Sequence, residues 1–257
     1  MFIVYDFAQG LQVKIPLLQI TEVLENQKKK TSKGRYKETT MKTLLKLIWI
    51  ALAIIGGLAF IWLVILKILS RLISRFGVSV PCPASVSWIV DNPIRRRYMC
   101  PVLDRLGLIA GEHVLELGPG PGIFTVEATR RLGPQGRLIV VDIQPEMIAK
   151  VEKRIQQAGL SNVETHVANA YELPLPEKSI DRAFLVTVLM EIPEPGRALV
   201  ELHRVLKPGG VLSITEEFLD PDYPFISETI QQVEAAGFKL KEKFGNWWLY
   251  TVNFVRV

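Results

Sequence analysis

Apolar and polar residues follow two different patterns along this chain. From Leu47 to Leu66, twenty consecutive residues carry no charge, and apolar side chains would cover every face of a helix. Between residues 114 and 257, short apolar runs alternate with segments whose apolar residues recur at helical spacing. The first pattern predicts a helix that crosses a membrane, and the second predicts an α/β domain.

In the α/β region, the pattern of apolar residues predicts mostly apolar strands that alternate with amphipathic helices. Strands are predicted at 114–117, 137–142, 163–167, 181–189 and 211–217, with a closing pair at 239–245 and 247–257. Helices are predicted at 123–132, 145–159, 196–210 and 226–238. Near-continuous apolar strands are typical of sheets that are covered on both faces, so we expect a doubly wound sheet of seven strands.

The apolar run has the length of a membrane span. A helix of this length rises roughly 30 Å, which is the thickness of the hydrocarbon core. Lys46 and Lys67 bracket the run, and Trp49 and Trp62 lie towards its ends, where indole rings favour the interface. The alternatives are a buried core helix, which would usually show a polar stripe, and a cleaved signal peptide, which would be shorter and nearer the N-terminus.

Composition divides the chain into four parts. Residues 1–40 form a tail that is partly disordered, because ENQKKKTSKGRYKETT is polar and basic. Residues 41–75 form the anchor, with the span at about 47–66, and residues 76–94 form a proline-containing connector. Residues 95–257 form the α/β domain, which is preceded by this single transmembrane helix.

The residues that commonly bind metals are few and scattered. Two cysteines, Cys82 and Cys100, exclude a disulfide framework, and the three widely spaced histidines predict no metal site. The net charge is +5, but much of the basic excess flanks the apolar run. Anionic lipid head groups explain that placement more simply than nucleic acid, so we expect a membrane and no nucleic acid as partner.

The stretch VLELGPGPGIF, residues 114–124, places three glycines behind the first strand of the domain. A dinucleotide fingerprint requires G-x-G-x-x-G, but Ile123 stands where its last glycine would be. A phosphate loop of the Walker type would require G-K-[ST], which is not present. The spacing is instead Glu116-x-Gly118-x-Gly120-x-Gly122.

This loop resembles the first motif of class I S-adenosylmethionine-dependent methyltransferases, and three further segments agree in order. Asp142 ends the second strand, residues 169–174 (NAYELP) precede 179–181 (SID), and residues 203–210 read HRVLKPGG. The resemblance covers roughly residues 95–257 and is closest to the branch that includes quinone-ring and small-molecule methyltransferases. It implies the Rossmann-like methyltransferase sheet, with S-adenosylmethionine as cofactor.

The resemblance also implies roles for individual residues. Glu116 would attract the cofactor's ammonium, the glycines would let the backbone pass its methionine part, and Asp142 would accept the ribose hydroxyls. For Asp142 the alternative is a helix N-cap. The implied cofactor-binding residues are Glu116, Gly118, Pro119, Gly120, Gly122, Asp142, Ile143, Asn169, Ala170 and Val186. Asn169 stands where the family commonly has aspartate, which removes a charge but keeps a donor and an acceptor.

A strong catalytic base is optional, because methyl transfer from a sulfonium depends mainly on alignment. Met190-Glu191 replaces the histidine-containing pair that the family often has at this point. Glu191 is therefore our first candidate for a general base, and Tyr171 is the second. The alternative for Glu191 is a solvated loop residue.

The anchor predicts a lipophilic acceptor: a phospholipid amine, a quinone-type ring, or a hydrophobic thiol or amine. Arg95-Arg96-Arg97-Tyr98 would meet anionic head groups, or else form a solvated charged face. S-adenosylmethionine is made in the cytosol, so we expect a single-pass membrane protein whose catalytic domain faces the cytoplasm. The sequence carries no signal for the oligomeric state.

The charges around the span conflict with this orientation. Eight Lys and Arg residues lie between Lys28 and Lys46, against six between Lys67 and Arg97, and this excess would keep the N-terminus inside. Two explanations are open: translation starts at Met41, which reverses the bias, or the segment dips into the membrane at Gly56-Gly57 without crossing it.

Two other functions compete with the methyltransferase prediction. A non-catalytic methyltransferase-like domain could organise a membrane complex, although the intact glycine loop and Asp142 count against a decayed pocket. A dinucleotide-dependent oxidoreductase is disfavoured by Ile123.

Overall fold

The computed structural model describes residues 2–5, 12–15, 17–74 and 82–257. The chain divides into two compact units, Met1–Trp62 and Leu63–Val257. The second unit contains the sheet and every residue of the candidate site. Of the connector predicted at 76–94, residues 76–81 lie outside the described residues.

The N-terminal unit begins with two short antiparallel strands, β1 (Phe2–Tyr5) and β2 (Gln12–Ile15). Helix α1 then runs without a break from Leu17 to Ser74 and so extends into the second unit. It includes the basic stretch at 25–40, where composition predicts disorder. Lysine, glutamate, glutamine and arginine are good helix formers, and an apolar helix that follows directly supplies the nucleus from which the helix propagates.

Within the described residues, one helical segment is long and apolar enough to cross a membrane by length and composition, Thr40–Leu69. It contains the predicted span at 47–66. None of its most apolar window is buried in the protein, so it is not packed as a core helix within the described chain.

The second unit is built on a seven-stranded mixed sheet, as predicted. Its strands are β3 (His113–Leu117), β4 (Arg137–Asp142), β5 (Val163–Val167), β6 (Ile180–Val186), β7 (Leu206–Glu217), β8 (Phe238–Gly245) and β9 (Leu249–Arg256). The strand order is β5-β4-β3-β6-β7-β9-β8. The first five are parallel, and β9 and β8 add an antiparallel pair at one edge.

Helices cover both faces of this sheet. They are α2 (Ser87–Val90), α3 (Pro93–Arg105), α4 (Thr125–Leu132), α5 (Pro145–Ala158), α6 (Pro195–Val205) and α7 (Ile226–Ala235). Successive side chains along a strand point to opposite faces of the sheet, and each face has its own hydrophobic core. Val114 packs with α3, α4 and α5, whereas the next residue, Leu115, packs with α6 and α7. The second unit therefore has a doubly wound, Rossmann-like α/β fold.

The order of the strands reverses between β3 and β6. The chain proceeds from β3 outward to β4 and β5, and then crosses to the other side of β3 to form β6. Ligands of doubly wound sheets bind at the carboxyl ends of the strands beside such a reversal. Strand β6 also ends three residues earlier than predicted, because Thr187 adopts a positive φ of 54° and a 3-10 turn follows at Leu189–Glu191.

Candidate active site

A half-open cavity lies at this reversal, and nearly all the predicted site residues line it. These are Glu116, Gly118, Pro119, Gly120, Asp142, Ile143, Asn169, Ala170, Tyr171, Val186 and Glu191. They come from β3, β4 and β6 and from the loops that follow β3, β4, β5 and β6, so parts of the chain that are distant in sequence converge on one space. Gly122 is the only predicted site residue that is not part of the lining.

The glycine loop after β3 is shaped by backbone conformation. Gly118 has φ +68°, and a Cβ atom there would lie 2.6 Å from the side chain of Val188. Gly120 has φ +54° and faces open space, with no atom within 4 Å of the position of a Cβ. Gly122 has φ +81° and packs against Val151 of α5 instead. The three glycines thus serve different purposes: close packing at two positions and an open cradle at Gly120.

Glu116 is a buried carboxyl group in the cavity wall, with 2% of its surface exposed. The hydroxyl of Thr125 donates a hydrogen bond of 2.7 Å to its Oε2 atom. Burial raises the pKa of Glu116 to about 8, partly offset by this hydrogen bond. A buried carboxyl group of this kind favours a cationic ligand, because the cation stabilises its ionised form.

Asp142 joins the end of β4 to the glycine loop. Its carboxylate accepts the backbone N–H of Gln144 at 2.9 Å and also those of Gly120 and Ile143. Burial nevertheless raises the pKa of Asp142. Helix α5 begins at Pro145, with Gln144 as its N-cap residue, so Asp142 is not the N-cap. The carboxylate lies in the cavity lining, where it can meet a polar ligand.

Several of the lining residues are apolar. Ile143, Ala170 and Val186 line the cavity together with Asn169, whose side-chain oxygen accepts the backbone N–H of Tyr171 at 3.0 Å. This bond orients the amide of Asn169 and fixes the loop after β5.

Glu191 lies in the 3-10 turn after β6, half-buried in the cavity wall. Its Oε2 atom accepts the backbone N–H of Cys82 at 3.3 Å. Burial raises the pKa of Glu191 to about 8, and the charge of Asp220 adds to the increase. The structure therefore places Glu191 in the site, and it is not a fully solvated loop residue.

Tyr171 also lines the cavity, but its hydroxyl group already takes part in a hydrogen bond. Its hydroxyl accepts the backbone N–H of Glu194 at 2.8 Å, and the guanidinium of Arg197 lies 4.4 Å from the centre of its ring. The ring therefore holds the loop that carries Glu191. A catalytic role for Tyr171 remains a prediction.

One residue of the Arg95-Arg96-Arg97-Tyr98 stretch does not lie where the sequence predicts. Arg95 is buried and does not face lipid head groups: its Nε atom donates to Glu217 at 2.6 Å, and it lines the cavity. The hydroxyl of Tyr98 donates to the other oxygen of Glu217. A buried guanidinium needs a paired carboxylate, and Glu217 lies 122 residues away in sequence. No local pattern could have revealed this pair.

A second feature without a sequence signal is the segment 82–91, which we call the strap. Cys82 and Val90 in the strap line the cavity. The side chain of Gln144 donates to the carbonyl of Cys82 at 3.0 Å and accepts the N–H of Ala84 at 3.2 Å. Lys150 donates to the hydroxyl of Ser87 at 2.7 Å and to the carbonyl of Ala84. Residues in and just before α5 thus clamp the strap along the cavity.

Comparison with known proteins agrees with this geometry. Residues 115–214 match the family model described as a methyltransferase domain. The crystal structure of a SAM-dependent methyltransferase from Aquifex aeolicus superposes with a TM-score of 0.64 at 26% identity, covering 68% of this chain and 100% of that one.

Two curated relatives match over a shorter part of their length. A ubiquinone/menaquinone biosynthesis C-methyltransferase, UbiE, of Hahella chejuensis is 33% identical over 54% of this chain and 56% of its own. An uncharacterized 37.1 kDa protein in transposon TN4556 of Streptomyces fradiae is 35% identical over 61% of this chain and 46% of its own. The chain thus spans about half the length of these two relatives.

The family match at residues 115–214 includes the positive-φ glycine loop and the two buried carboxyl groups, Glu116 and Asp142, and the Aquifex structure shares the fold. That fold and family imply S-adenosylmethionine as the cofactor. Residues 115–214 thus match a methyltransferase domain, and the second compact unit is similar in fold to a SAM-dependent methyltransferase.

Proposed function

We propose that the protein is a methyltransferase that acts at a membrane on a lipophilic small-molecule or lipid acceptor. The observation that carries the proposal is that Glu116, Asp142 and Glu191 line one cavity beside the open backbone at Gly120. In this proposal residues 95–257 are the catalytic domain and residues 41–75 are the anchor, with the span near 47–66.

The lining fits a ligand that carries an ammonium, a ribose and a planar base. Glu116 would hold the ammonium, the glycine loop would lie along the amino-acid portion, and Asp142 would accept the ribose hydroxyls. Ile143, Asn169, Ala170 and Val186 would border the adenine. When bound, S-adenosylmethionine supplies an electrophilic methyl group on a positively charged sulfur.

Glu191 is the residue best placed to take a proton from an acceptor. It belongs to the cavity but to none of the segments assigned to the cofactor. A base is most effective when its pKa lies near the working pH, and burial gives Glu191 a pKa of about 8. It would assist an amine or phenol, which loses a proton when it is methylated.

Three observations favour a membrane-dissolved acceptor. One described helical segment is long and apolar enough to span a bilayer. One relative, from Hahella chejuensis, is named a ubiquinone/menaquinone biosynthesis C-methyltransferase. Apolar residues that neighbour Glu191 in sequence, Val188, Ile192 and Pro193, also line the cavity. We propose that the domain faces the cytoplasm, either because translation starts at Met41 or because the apolar segment dips at Gly56-Gly57.

The test is to incubate membranes that contain the full chain with methyl-labelled S-adenosylmethionine and to identify the labelled product. We expect label in an organic-extractable compound, and an Asp142→Ala variant should show none. Cofactor binding without any labelled product would favour a non-catalytic scaffold. Binding of a nicotinamide dinucleotide in place of the sulfonium nucleoside would favour an oxidoreductase.

A further inference from the structure

A cluster of exposed and half-buried apolar side chains lies on the second compact unit, outside the lining of the cavity. We call it the aromatic patch, and it consists of Phe218, Leu219, Phe225, Trp247 and Trp248. The exposed fractions are 68% for Trp247, 56% for Phe225, 44% for Leu219 and 38% for Trp248. Single exposed apolar residues are ordinary, but a contiguous group that includes two tryptophans marks an interaction surface.

The patch is continuous and held in shape. The ring of Phe218 lies 5.3 Å from that of Trp247 and 5.6 Å from that of Trp248, measured between centroids. The backbone N–H of Phe218 donates to the carbonyl of Trp248 at 2.7 Å, and the hydroxyl of Tyr223 donates to the carbonyl of Trp247 at 2.6 Å. The loop after β7 and the turn between β8 and β9 therefore present their aromatic rings together.

The patch adjoins the end of the apolar segment. The ammonium of Lys67 lies 4.5 Å from the centre of the Phe218 ring and 5.3 Å from that of Tyr223, and it donates to the carbonyl of Asp220. Lys67 belongs to the same compact unit as the patch and is two residues from the end of the candidate span at Leu69. Two residues of helix correspond to about 3 Å, so the atoms around Lys67 lie at the depth where a crossing helix would leave the hydrocarbon.

We propose that the aromatic patch docks into the interfacial layer of the bilayer that the Thr40–Leu69 segment enters. Tryptophan favours this layer because its ring is apolar and its N–H is polar, and a lysine at the end of a span extends towards the head groups. The inference rests on the membrane location in the proposed function, and it adds a second, independent contact between domain and lipid.

Docking would bring the acceptor side of the cavity to the lipid. Glu217 directly precedes Phe218 of the patch and binds Arg95, which lines the cavity. Asp220, in the same loop, is close enough to Glu191 to raise its pKa. A patch held at the interface therefore fixes the wall that contains Arg95 and Glu191 beside the membrane, where a lipophilic acceptor would enter.

The test uses the five tryptophans of the full chain, reconstituted in phosphatidylcholine vesicles with or without brominated acyl chains. Three variants, each with phenylalanine at the other tryptophan positions, keep Trp247 and Trp248, keep Trp49 and Trp62, or keep Trp88 alone. Bromine quenches only fluorophores that reach the acyl region. We expect the Trp247/Trp248 variant to lose clearly more intensity in brominated vesicles than the Trp88 variant, which reports an exposed tryptophan outside the patch.

The outcomes separate docking of the aromatic patch from membrane insertion of the apolar segment. Quenching of Trp49 and Trp62 without quenching of Trp247 and Trp248 overturns the docking inference and leaves the membrane anchor intact. Quenching of neither pair overturns both, whereas quenching of Trp247 and Trp248 alone supports docking without a crossing helix. Retained binding of S-adenosylhomocysteine, measured by calorimetry, shows that each variant is folded.

Discussion

The buried carboxyl group of Glu116 couples cofactor binding to a proton. Because burial raises its pKa to about 8, Glu116 is mostly protonated at pH 7 before a ligand binds. The cofactor's ammonium pairs with the ionised form, so binding should release a proton. The affinity for S-adenosylmethionine should therefore increase as the pH rises towards 8, by at most about tenfold per pH unit.

Calorimetry in two buffers with different ionisation enthalpies measures this proton release directly. In Glu116→Gln the released proton should disappear and the affinity should fall by about 10- to 100-fold, since a hydrogen bond to a charged group is lost. Glu146→Gln, at an exposed position at the start of α5, should change neither quantity. Proton release that persists in Glu116→Gln would assign the coupling to another group.

Glu191 makes a separate prediction about turnover. At saturating cofactor, kcat for an acceptor that loses a proton should increase with pH and level off above about 8, because the base must be ionised. Glu191→Gln should remove this dependence and lower kcat by about 100-fold or more, with unchanged cofactor affinity. Glu194→Gln, in the neighbouring exposed loop, is the matched control. An unaltered pH profile in Glu191→Gln would show that the reaction needs no carboxylate base there.

At the scale of elements, alanine substitutions at two glycines of the loop after β3, Gly118 and Gly120, should have different effects. Gly120→Ala should cost about 1 kcal/mol of stability from its positive φ, but its methyl group would project into the cavity and weaken cofactor binding. Gly118→Ala should destabilise more strongly, because its Cβ would also collide with Val188. Adding Val188→Ala should restore part of that loss. Thermal unfolding in detergent, combined with calorimetry, separates the two effects; equal losses at both positions would contradict the assigned packing.

The strap makes a prediction of its own. Lys150 contacts the strap but is not part of the cavity lining, so Lys150→Met should loosen residues 82–91 without removing a ligand contact. We expect faster hydrogen exchange in the strap and faster release of cofactor, both measured on the full chain. Lys153→Met, an exposed position on the same helix, should leave both rates unchanged. Unchanged exchange in Lys150→Met would mean that the other contacts of the strap, such as those of Gln144 and Glu191, hold it without Lys150.

Local patterns predicted most of the elements, but not their long-range contacts. The apolar runs at β3, β4 and β6 predicted a doubly wound sheet, since strands covered on both faces must be apolar throughout. The acidic residues Glu116 and Asp142 could be placed because each lies at the end of its own strand. The Arg95–Glu217 pair and the clamp on the strap depend on partners far away in sequence. A single sequence contains no pattern for such contacts.

The prediction of disorder at residues 25–40 differs from the structure because it also used only local composition. Residues 25–40 are polar enough to be disordered alone, yet the structure continues α1 through them into the apolar segment. Helix formation is cooperative, so a strongly apolar helix can extend into a neighbouring stretch of good helix formers. The composition of residues 25–40 alone therefore does not show that a neighbouring helix can extend through them.

At the scale of the whole molecule, a methyltransferase domain joined to a membrane-embedded segment should have a reaction rate that depends on the concentration of acceptor within the plane of the bilayer. The full chain and a lipophilic acceptor in the same vesicles meet within the bilayer, so the rate should depend on the mole fraction of acceptor in the lipid. Diluting the vesicle suspension should leave the rate per enzyme unchanged at saturating cofactor, whereas adding phospholipid to the same vesicles at fixed acceptor should lower it. Ser substitution of both Trp247 and Trp248 should weaken this response more than Val200→Ser, an exposed apolar position on α6. A rate that follows the bulk concentration of acceptor would mean that the substrate reaches the cavity from water.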